Sequence, residues 1–369
     1  MPWCVKKCPY CDFNSHTVPN GALSADLEQA YLQALVADAV QQVPLAQGRA
    51  ISSVFIGGGT PSLISAAGYQ WLFSRLRELL PFQADCEITL EANPGTVEHA
   101  PFADYLQAGI NRLSLGVQTF DAAHLQKLGR IHSAQDAGTA IHQARVAGFL
   151  RVNVDLMHGL PGQSMQQATD DLWQAIGQGA THISWYQLTI EPNTVFFRTQ
   201  PQLPEEDVLS DIQDAGEAIL QQQGYQQYEV SAWAGEQPCR HNLNYWQFGD
   251  YLAVGAGAHG KVTWPDGVFR FQKTRLPKDY LAQQPAEMLN WQRIAGEDLP
   301  FEFMMNALRL RAGVPADYYA QRTGLRLAAL EPLLGRLRAQ DLLDQHEHTL
   351  RCTTQGYRYL NNVINQFYE

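Results

Sequence analysis

The chain has 369 residues, of which 45% are hydrophobic and 17% are charged, and its formal net charge is −11. These values are typical of a globular protein with one large and one small domain. The negative charge argues against nucleic acid as the main partner, because phosphate binding requires a basic surface. We find neither an apolar run long enough to cross a membrane nor a signal peptide, so we expect a soluble protein without a transmembrane segment.

The first half of the sequence predicts alternating strands and helices. Residues 24–43 carry apolar side chains at helical spacing, with Ser24 as the N-cap. A β-branched strand at 51–56 then ends at a run of three glycines. Further strands are predicted at 87–90, 112–117, 150–156 and 182–188, and helices at 69–80, 102–108, 134–147 and 165–177. This alternation implies parallel βαβ units, which form either a doubly wound sheet or a barrel.

The second half predicts a helix at 205–223 and a strand at 228–233, and the pattern changes near residue 299. Amphipathic helices are predicted at 301–310, 315–323 and 327–337. A hairpin is predicted at 344–351 and a last helix at 357–367. Such a segment is similar to a winged-helix domain. It is not strongly basic, so we favour a packing or partner surface over DNA binding. The predicted domains are 1–235, a connecting segment 236–297, and 298–369.

Three cysteines, Cys4, Cys8 and Cys11, lie close together near the start of the chain. Thiols this close can converge on one metal centre, whereas disulfide pairing would leave one thiol over. A structural zinc ion would need a fourth ligand nearby. A four-iron cluster held by three thiolates leaves one iron for an exchangeable ligand, which suits the spacing better, with zinc or unbound thiols as alternatives. Clustered, unpaired thiols also indicate a reducing cytoplasm.

The cysteine spacing, with Tyr10 before the last cysteine, resembles the radical S-adenosylmethionine superfamily. The longer string from Trp3 to Ser15 resembles its HemW-type haem chaperone branch, relatives of the oxygen-independent coproporphyrinogen III dehydrogenase. That dehydrogenase carries a further cysteine two residues after the third, where this chain has Phe13. The resemblance implies a partial (β/α) barrel of the radical SAM type, a [4Fe-4S] cluster and bound S-adenosylmethionine. It also implies an apolar strand before the first cysteine, where this sequence has Met1-Pro2-Trp3 alone. Either the start was assigned late or the first strand is lacking, and we favour a late start.

Several polar residues follow predicted strands, where parallel α/β folds place their ligands. Glu91, Gln118 and Asp155 end successive strands, so we expect them in the barrel mouth, although hydrogen-bonded structural roles are the alternative. Arg130 can hold a carboxylate bidentately, or form a surface ion pair. By resemblance, Gly58 and Glu91, with Tyr10, match positions around the cluster-bound cofactor. The resemblance also matches five residues to positions around a second cofactor or substrate: Gly59, Thr60, Gln118, Arg130 and Asp155.

The stretch His241-Asn242-Leu243-Asn244-Tyr245-Trp246 is the other candidate site. An imidazole beside aromatic rings can ligate haem iron while Tyr245 and Trp246 cover the porphyrin, although such a histidine is more often a core residue. The match to the haem chaperone branch favours the ligand, with His259 as a second candidate. We therefore predict a haem carrier that passes haem to an acceptor protein. The alternative is the radical dehydrogenase, which decarboxylates coproporphyrinogen III.

Overall fold

The computed structural model describes residues 1–18, 21–95, 100–282 and 290–368. The strands are β1 (Trp3–Cys4), β2 (His16–Thr17), β3 (Ile51–Ile56), β4 (Phe82–Ala92), β5 (Arg112–Gln118), β6 (Arg151–His158), β7 (His182–Gln187), β8 (Gln226–Glu229), β9 (Ala232–Ala234), β10 (His259–Trp264), β11 (Gly267–Gln272), β12 (Asn290–Arg293), β13 (Val314–Pro315) and β14 (Thr349–Leu350).

The first eight helices are α1 (Ala25–Gln42), α2 (Ala66–Leu79), α3 (Phe102–Gln107), α4 (Ala122–Lys127), α5 (Ala134–Val146), α6 (Met165–Gly177), α7 (Val195–Thr199) and α8 (Glu206–Gln222). The others in the described ranges are α9 (Arg240–Trp246), α10 (Pro277–Ala282), α11 (Leu299–Ala307), α12 (Asp317–Thr323), α13 (Glu331–Ala339), α14 (Thr354–Arg358) and α15 (Leu360–Asn365).

The main sheet has seven strands in the order β3-β4-β5-β6-β7-β9-β8. Strands β3 to β7 pair in parallel, while β9 pairs antiparallel with both β7 and β8. Crossover helices separate the parallel strands along the chain, as parallel pairing requires. This arrangement confirms the predicted partial (β/α) barrel, and the carboxyl ends of β3 to β6 lie along one edge.

The local sequence explains why the barrel elements form where they do. The Ser24 hydroxyl caps α1 by accepting a hydrogen bond from the Leu27 N–H at 3.2 Å. Capping boxes begin α5 and α6, at Ser133 and Ser164. The apolar side chains of β5 and β6 are fully buried, as expected for strands covered on both faces. The sheet and its helices therefore share one large hydrophobic core.

Three predicted elements differ from the structure in more than their bounds. The segment 228–233 is not one strand, because the chain turns at residues 230–231 and forms the antiparallel pair β8–β9. At 344–351 the chain doubles back as predicted, with an antiparallel bridge between Leu343 and Cys352, and β14 pairs in addition with β13. The last predicted helix is divided into α14 and α15 at Tyr359. The chain start does contain a strand of two residues, β1, which pairs with β2.

The C-terminal segment has a core of its own, which is formed mainly by α11, α12, α13 and α15. Phe303 and Tyr319 are at its centre, with their ring centroids 5.2 Å apart. This core confirms the predicted small helical domain. Between the barrel and this segment, in chain order, the strands β10, β11 and β12 form a three-stranded antiparallel sheet. This sheet was not predicted from the sequence. No helix within the described residues combines the length and the apolar character that crossing a membrane requires.

A buried histidine makes the barrel sensitive to acid. His158 ends β6, is 2% exposed, and lies with its ring centroid 4.3 Å from that of Trp185. Burial lowers the pKa of His158 to about 4. The unfolded chain therefore binds a proton between about pH 6.5 and 4 that the folded chain does not bind. This difference lowers the free energy of unfolding as the pH falls, by up to about 1.4 kcal/mol per pH unit.

We expect His158→Phe to reduce the loss of stability between pH 7 and pH 5, measured by urea unfolding at each pH. The other buried histidines leave a residual pH dependence. His346→Phe is the matched control, since that side chain is 79% exposed and its replacement should leave the pH dependence unchanged. Equal pH dependence in His158→Phe and the parent would contradict the prediction.

Candidate functional site

Cys4 is the last residue of β1, whereas Cys8 and Cys11 lie on the loop between β1 and β2, and each of the three is partly exposed. None of the six cysteines, all of which are in the described ranges, forms a disulfide. The loop packs beside the carboxyl ends of the barrel strands. Thr60 Oγ1 donates to Cys4 Sγ at 3.5 Å, and Arg130 Nη1 donates to Cys8 Sγ at 3.7 Å. Donors aimed at sulfur are a feature of iron–sulfur sites, where they tune the cluster.

Within the described residues, one group of three possible metal-ligating side chains lies elsewhere: ligand atoms of Glu87, Cys239 and His241 are all within 4.8 Å of one another. Burial raises the pKa of the Cys11 thiol, while hydrogen bonds with the Phe13 backbone and the Ser15 side chain oppose this rise.

The glycine run after β3 contacts the chain start closely. Gly59 N–H donates to the Met1 carbonyl and Thr60 N–H to the Trp3 carbonyl, both at 2.6 Å. Gly58 has φ +114°, and a Cβ atom on it would lie 2.5 Å from the Met1 carbonyl oxygen. A side chain at this position is therefore excluded by conformation and by space. The close contact with the Met1 carbonyl is by itself enough to require glycine at position 58, whether or not Gly58 also contacts a ligand.

Glu91 lies beside this glycine run, at the end of β4. Its Oε2 accepts a hydrogen bond from Gly58 N–H at 3.2 Å. Burial raises the pKa of Glu91 to about 8, the negative charge of Asp155 adds to this, and the Gly58 N–H opposes it. The carboxyl group faces the cavity described below. A carboxyl group in this state can bind the amino group of a ligand and be stabilised by its positive charge.

The other barrel residues belong to two separate sets of contacts. Arg130 Nη2 donates to Asn93 Oδ1 at 2.6 Å and to the Gly116 carbonyl at 2.5 Å, so it is part of the cysteine loop surroundings and not a surface pair. Gln118 ends β5 with φ +71°, and its Oε1 accepts from Tyr186 Oη at 2.8 Å. The left-handed backbone turns Gln118 out of the strand direction.

Asp155 lies inside β6 and not at its end, because this strand continues to His158. Its carboxylate accepts from Ser114 Oγ at 3.0 Å and from Asn153 Nδ2 at 2.8 Å. Both oxygens therefore have partners within the sheet. Tyr10 packs against Phe196, with ring centroids 6.3 Å apart, and burial raises the pKa of its hydroxyl. Tyr10 thus anchors the cysteine loop to the helix α7.

A cavity of about 1300 Å³ lies between the cysteine loop, the end of β3 and the helix α9. His241 and Tyr245 of α9 line it, together with Phe55 of β3. The His241 ring stacks on Phe55, with centroids 4.3 Å apart and planes at 23°. Tyr245 meets His241 edge-on at 6.2 Å. His259 also lines the cavity, with an exposed side chain. An imidazole therefore lies among aromatic rings in the wall of the cavity. The cavity is larger than the roughly 300–1,000 Å³ that is usual for ligand pockets.

Trp246 is directed elsewhere. The guanidinium of Arg309 lies 4.3 Å above its ring, and Trp246 packs against the C-terminal core. Asn242 instead reaches toward the barrel, where its Nδ2 donates to Tyr228 Oη at 3.1 Å. Tyr228 in turn contacts His182, whose other nitrogen is 2.6 Å from Asn153 Oδ1. The α9 motif thus connects the cavity wall, the C-terminal core and the barrel interior.

Sequence reasoning missed three residues that surround His241. Phe55 is an ordinary strand residue in the sequence, and Cys239 is one of the scattered cysteines. Glu87 is fully buried on β4, about 150 positions before α9. Burial alone would raise its pKa, but the hydrogen bond from His241 and the charge of buried Arg112 outweigh it and lower the pKa to about 2. A charged residue predicted inside an apolar strand was the available signal.

Burial also affects the neighbours of Glu87. It lowers the pKa of His241 and so favours the neutral imidazole, although a hydrogen bond to the Glu87 carboxylate and the negative charge of Glu87 act in the opposite direction. It raises the pKa of the Cys239 thiol to about 12, so this thiol is protonated at neutral pH. The carboxylate is therefore the charged member of the group, and neutral imidazole is the form that binds metal ions.

Comparison with known proteins places this geometry in a family. Residues 1–172 match the model of the Radical SAM superfamily, and residues 294–359 match the HemN C-terminal domain. The chain is 46% identical to "Heme chaperone HemW" of Haemophilus influenzae and 47% identical to that of Escherichia coli, over 100% of this chain and 96% of each relative.

The fold is also similar to a solved structure, described as "Coproporphyrinogen III oxidase (HemN) from Escherichia coli is a Radical SAM enzyme". The TM-score is 0.80 at 24% identity, over 100% of this chain and 88% of that one, so the likeness concerns the fold. The full-length similarity to the two HemW proteins is closer in sequence. The chain therefore belongs to the HemW family, within the radical SAM superfamily.

Proposed function

We propose that this protein is a haem chaperone, which binds haem in the cavity beside α9 and passes it to an acceptor protein. One observation carries the proposal: His241, a neutral imidazole, stands in the aromatic wall of a cavity of about 1300 Å³. Imidazole is a common axial ligand of haem iron, and aromatic side chains pack well against a porphyrin. The names of the curated HemW relatives support the same function.

Within this proposal, His241 ligates the iron while Phe55 and Tyr245 flank the ring system. Tyr245 lines the cavity, whereas Trp246 contacts the guanidinium of Arg309 and so helps to hold α9 in position. The expected effect of replacing Trp246 is therefore indirect, through the position of the helix. His259 is the other cavity-lining imidazole and the second candidate ligand.

We also propose that Cys4, Cys8 and Cys11 hold a [4Fe-4S] cluster with one iron open to S-adenosylmethionine. The cluster with this cofactor supplies one-electron chemistry or a regulatory state when both are bound. In this proposal, Gly58, Glu91 and Tyr10 contact the cofactor. The residues proposed for a second cofactor or substrate are Gly59, Thr60, Gln118, Arg130 and Asp155. Of these, Arg130 and Thr60 already contact the cysteine sulfurs.

Two wider features belong to the proposal. The six cysteines, all of which lie in the described ranges, form no disulfide, and this supports a reducing, cytoplasmic location. The domain division at 1–235, 236–297 and 298–369 also belongs to the proposal. The largest hydrophobic core lies in the barrel, and the next is centred on the C-terminal helices but also includes Tyr228 from the first range and Phe248 from the second. The smaller domain offers a surface for the unidentified acceptor protein. The acceptor is a haem-binding protein in its apo form, because haem is what it receives.

Replacing His241 tests the haem site. We expect His241→Ala to weaken haem binding at least tenfold, or about 1.4 kcal/mol, because the iron–imidazole bond is lost. The Soret band of the bound haem should also shift, while the iron content of the cluster stays unchanged. The measurement is an anaerobic haem titration followed by absorbance.

His142→Ala is the matched control, because this exposed histidine lies on α5, outside the cavity. It should bind haem as the parent does. Unchanged affinity in His241→Ala, with a loss in His259→Ala, would move the ligand to His259. Decarboxylation of coproporphyrinogen III at enzymatic turnover by the cluster-loaded protein would instead support the dehydrogenase, despite Phe13.

A further inference from the structure

Four charged side chains, Arg49, Asp250, Lys261 and Arg322, form a group beside the cavity, which we call the Asp250 cluster. Arg49, Asp250 and Arg322 line the cavity itself. We propose that the Asp250 cluster binds the two propionate carboxylates of the haem, while His241 holds the iron. The inference rests on the proposed function for the identity of the ligand. It adds Arg49 and Arg322 as residues that select a porphyrin with acidic side chains.

Asp250 is the centre of the cluster. Its segment is held beside β10 by a pair of backbone hydrogen bonds between Tyr251 and Lys261, at 2.9 and 3.0 Å. Asp250 Oδ1 accepts from Lys261 Nζ at 3.0 Å and from Thr263 Oγ1 at 2.8 Å. Its Oδ2 accepts from Arg49 Nη1 and from Thr263 N–H, both at 2.9 Å. Both carboxylate oxygens are therefore fully used within the cluster.

The cluster carries more positive charge than its one carboxylate balances. Three cations and one anion leave a formal charge of +2, in a chain whose net charge is −11. The neighbouring pair of Arg270 with Glu302 is neutral and does not change this balance. Haem carries two propionate carboxylates, whose charge of about −2 at neutral pH would match the excess. The charge of the cluster therefore complements the acidic edge of a haem.

Arg322 is the cation whose charge is least balanced. Its guanidinium donates to the Gln247 carbonyl and lies 3.9 Å above the Tyr318 ring. Among the described residues, no carboxylate is within ion-pair distance of this guanidinium. Burial lowers the pKa of Arg322, and Tyr318 and the charge of Asp250 oppose this effect. A carboxylate that enters the cavity would stabilise the guanidinium, which is a group suited to bidentate binding of carboxylates.

The cluster lies within reach of a porphyrin whose iron is bound to His241. The His241 ring contacts Tyr245, with centroids 6.2 Å apart, and Tyr245 contacts Tyr251 at 4.8 Å. Tyr251 is adjacent to Asp250 in the chain, and all of these residues line the cavity. Two ring contacts thus separate the candidate iron ligand from the cluster. A porphyrin with extended propionate side chains can span this distance.

The other basic residues of the cavity are weaker candidates for the same role. Lys7 and Arg275 are exposed, and they line the cavity together with Asp12 and Glu191. The two cations and the two carboxylates leave no formal excess of positive charge. His259 is also exposed, and an imidazole is a cation only when it is protonated. The positive excess beside the cavity is therefore that of the Asp250 cluster.

Haem and its dimethyl ester provide the first test, because they differ only in the propionate groups, which the ester leaves uncharged. We expect the parent to bind haem at least about tenfold more tightly than the ester, since charged hydrogen bonds are lost. Both affinities are measured by absorbance titration in the same dilute detergent. Arg322→Gln should lose most of this preference, through weaker binding of haem and unchanged binding of the ester. Equal binding of haem and ester by the parent would overturn the inference.

Three further variants make the test specific. Arg322→Lys keeps the positive charge and should retain part of the preference. Arg275→Gln is the matched control, an exposed arginine of the same cavity, and it should bind both ligands as the parent does. Arg49→Gln serves if Arg322→Gln does not fold, because the Arg49 side chain is 51% exposed, and it should also reduce the preference. A preference lost in Arg275→Gln but kept in Arg49→Gln and Arg322→Gln would overturn the inference.

His241→Ala separates this inference from the proposed function. The iron–imidazole bond is common to both ligands, so this variant should weaken haem and ester by the same factor and keep the preference. Haem that binds through His241 without any preference over the ester would overturn the inference alone. A parent protein that binds neither haem nor ester would overturn the proposed function, and the inference with it.

Discussion

Replacing Cys8 by alanine should reduce the iron of anaerobically reconstituted protein from about four atoms per chain to a trace. Three thiolates are the full protein ligand set proposed for the cluster, and the rest of the chain has no cysteine near this loop to replace the one that is lost. Two thiolates leave two irons open, and such a cluster is lost to solvent or oxygen. The measurement is iron and sulfide content together with the visible absorbance of the cluster.

Cys352→Ala is the matched control, since this thiol is buried in the C-terminal core. It should leave the iron content unchanged. Stoichiometric zinc with no iron in the parent would contradict the cluster. Full iron content in Cys8→Ala would instead show that another residue supplies the third ligand.

Replacing Lys273 by alanine should lower the free energy of unfolding by about 3–5 kcal/mol, because it leaves a buried carboxylate without its cation. Lys273 Nζ lies 2.5 Å from Asp38 Oδ1, and both side chains are 0% exposed. Asp38 also accepts from Tyr280 Oη at 2.7 Å and from Gly255 N–H at 3.2 Å. The group thus joins α1 to the segment around α10. The measurement is equilibrium unfolding in urea, followed by tryptophan fluorescence.

Two variants distinguish an unpaired charge from general damage. The double variant Asp38→Asn with Lys273→Met should recover part of the loss, since no uncompensated charge remains. Arg75→Ala removes an ion pair with Glu78 on the exposed face of α2 and should change little. A loss below about 1 kcal/mol in Lys273→Ala would contradict the prediction.

Features that depend on neighbouring residues were predicted well. The helix at 24–43 follows from its apolar spacing and from Ser24, and the structure has Ala25–Gln42 with Ser24 as the N-cap. The glycine run after β3 permits a close backbone approach; the sequence predicts a ligand there, and the structure shows Gly58 in contact with the Met1 carbonyl. The cysteine motif and the His241 motif are both contiguous, so the sequence alone identified the family and the two ends of the site.

Strand bounds were predicted less well, because hydrogen-bonded pairing extends strands beyond their apolar residues. β4 begins at Phe82, five residues before the prediction, since Phe82 pairs with Ile51 of β3 and an irregularity in the register separates this pair from the next one, at Glu87. β6 continues to His158, and this places Asp155 within the sheet with two partners of its own. Neither extension has a local signature in hydrophobic periodicity.

The surroundings of His241 were decided by tertiary structure. Glu87 and Phe55 reach it because β3 and β4 are neighbours in the sheet and α9 packs across them, a contact between segments about 150 residues apart. Trp246, adjacent in sequence to Tyr245, points to the C-terminal core because successive residues on a helix face different directions. The sequence by itself determined which motif supplies the imidazole and the thiols. The carboxylate beside that imidazole and the cavity that it lines depend on long-range packing, which no local pattern encodes.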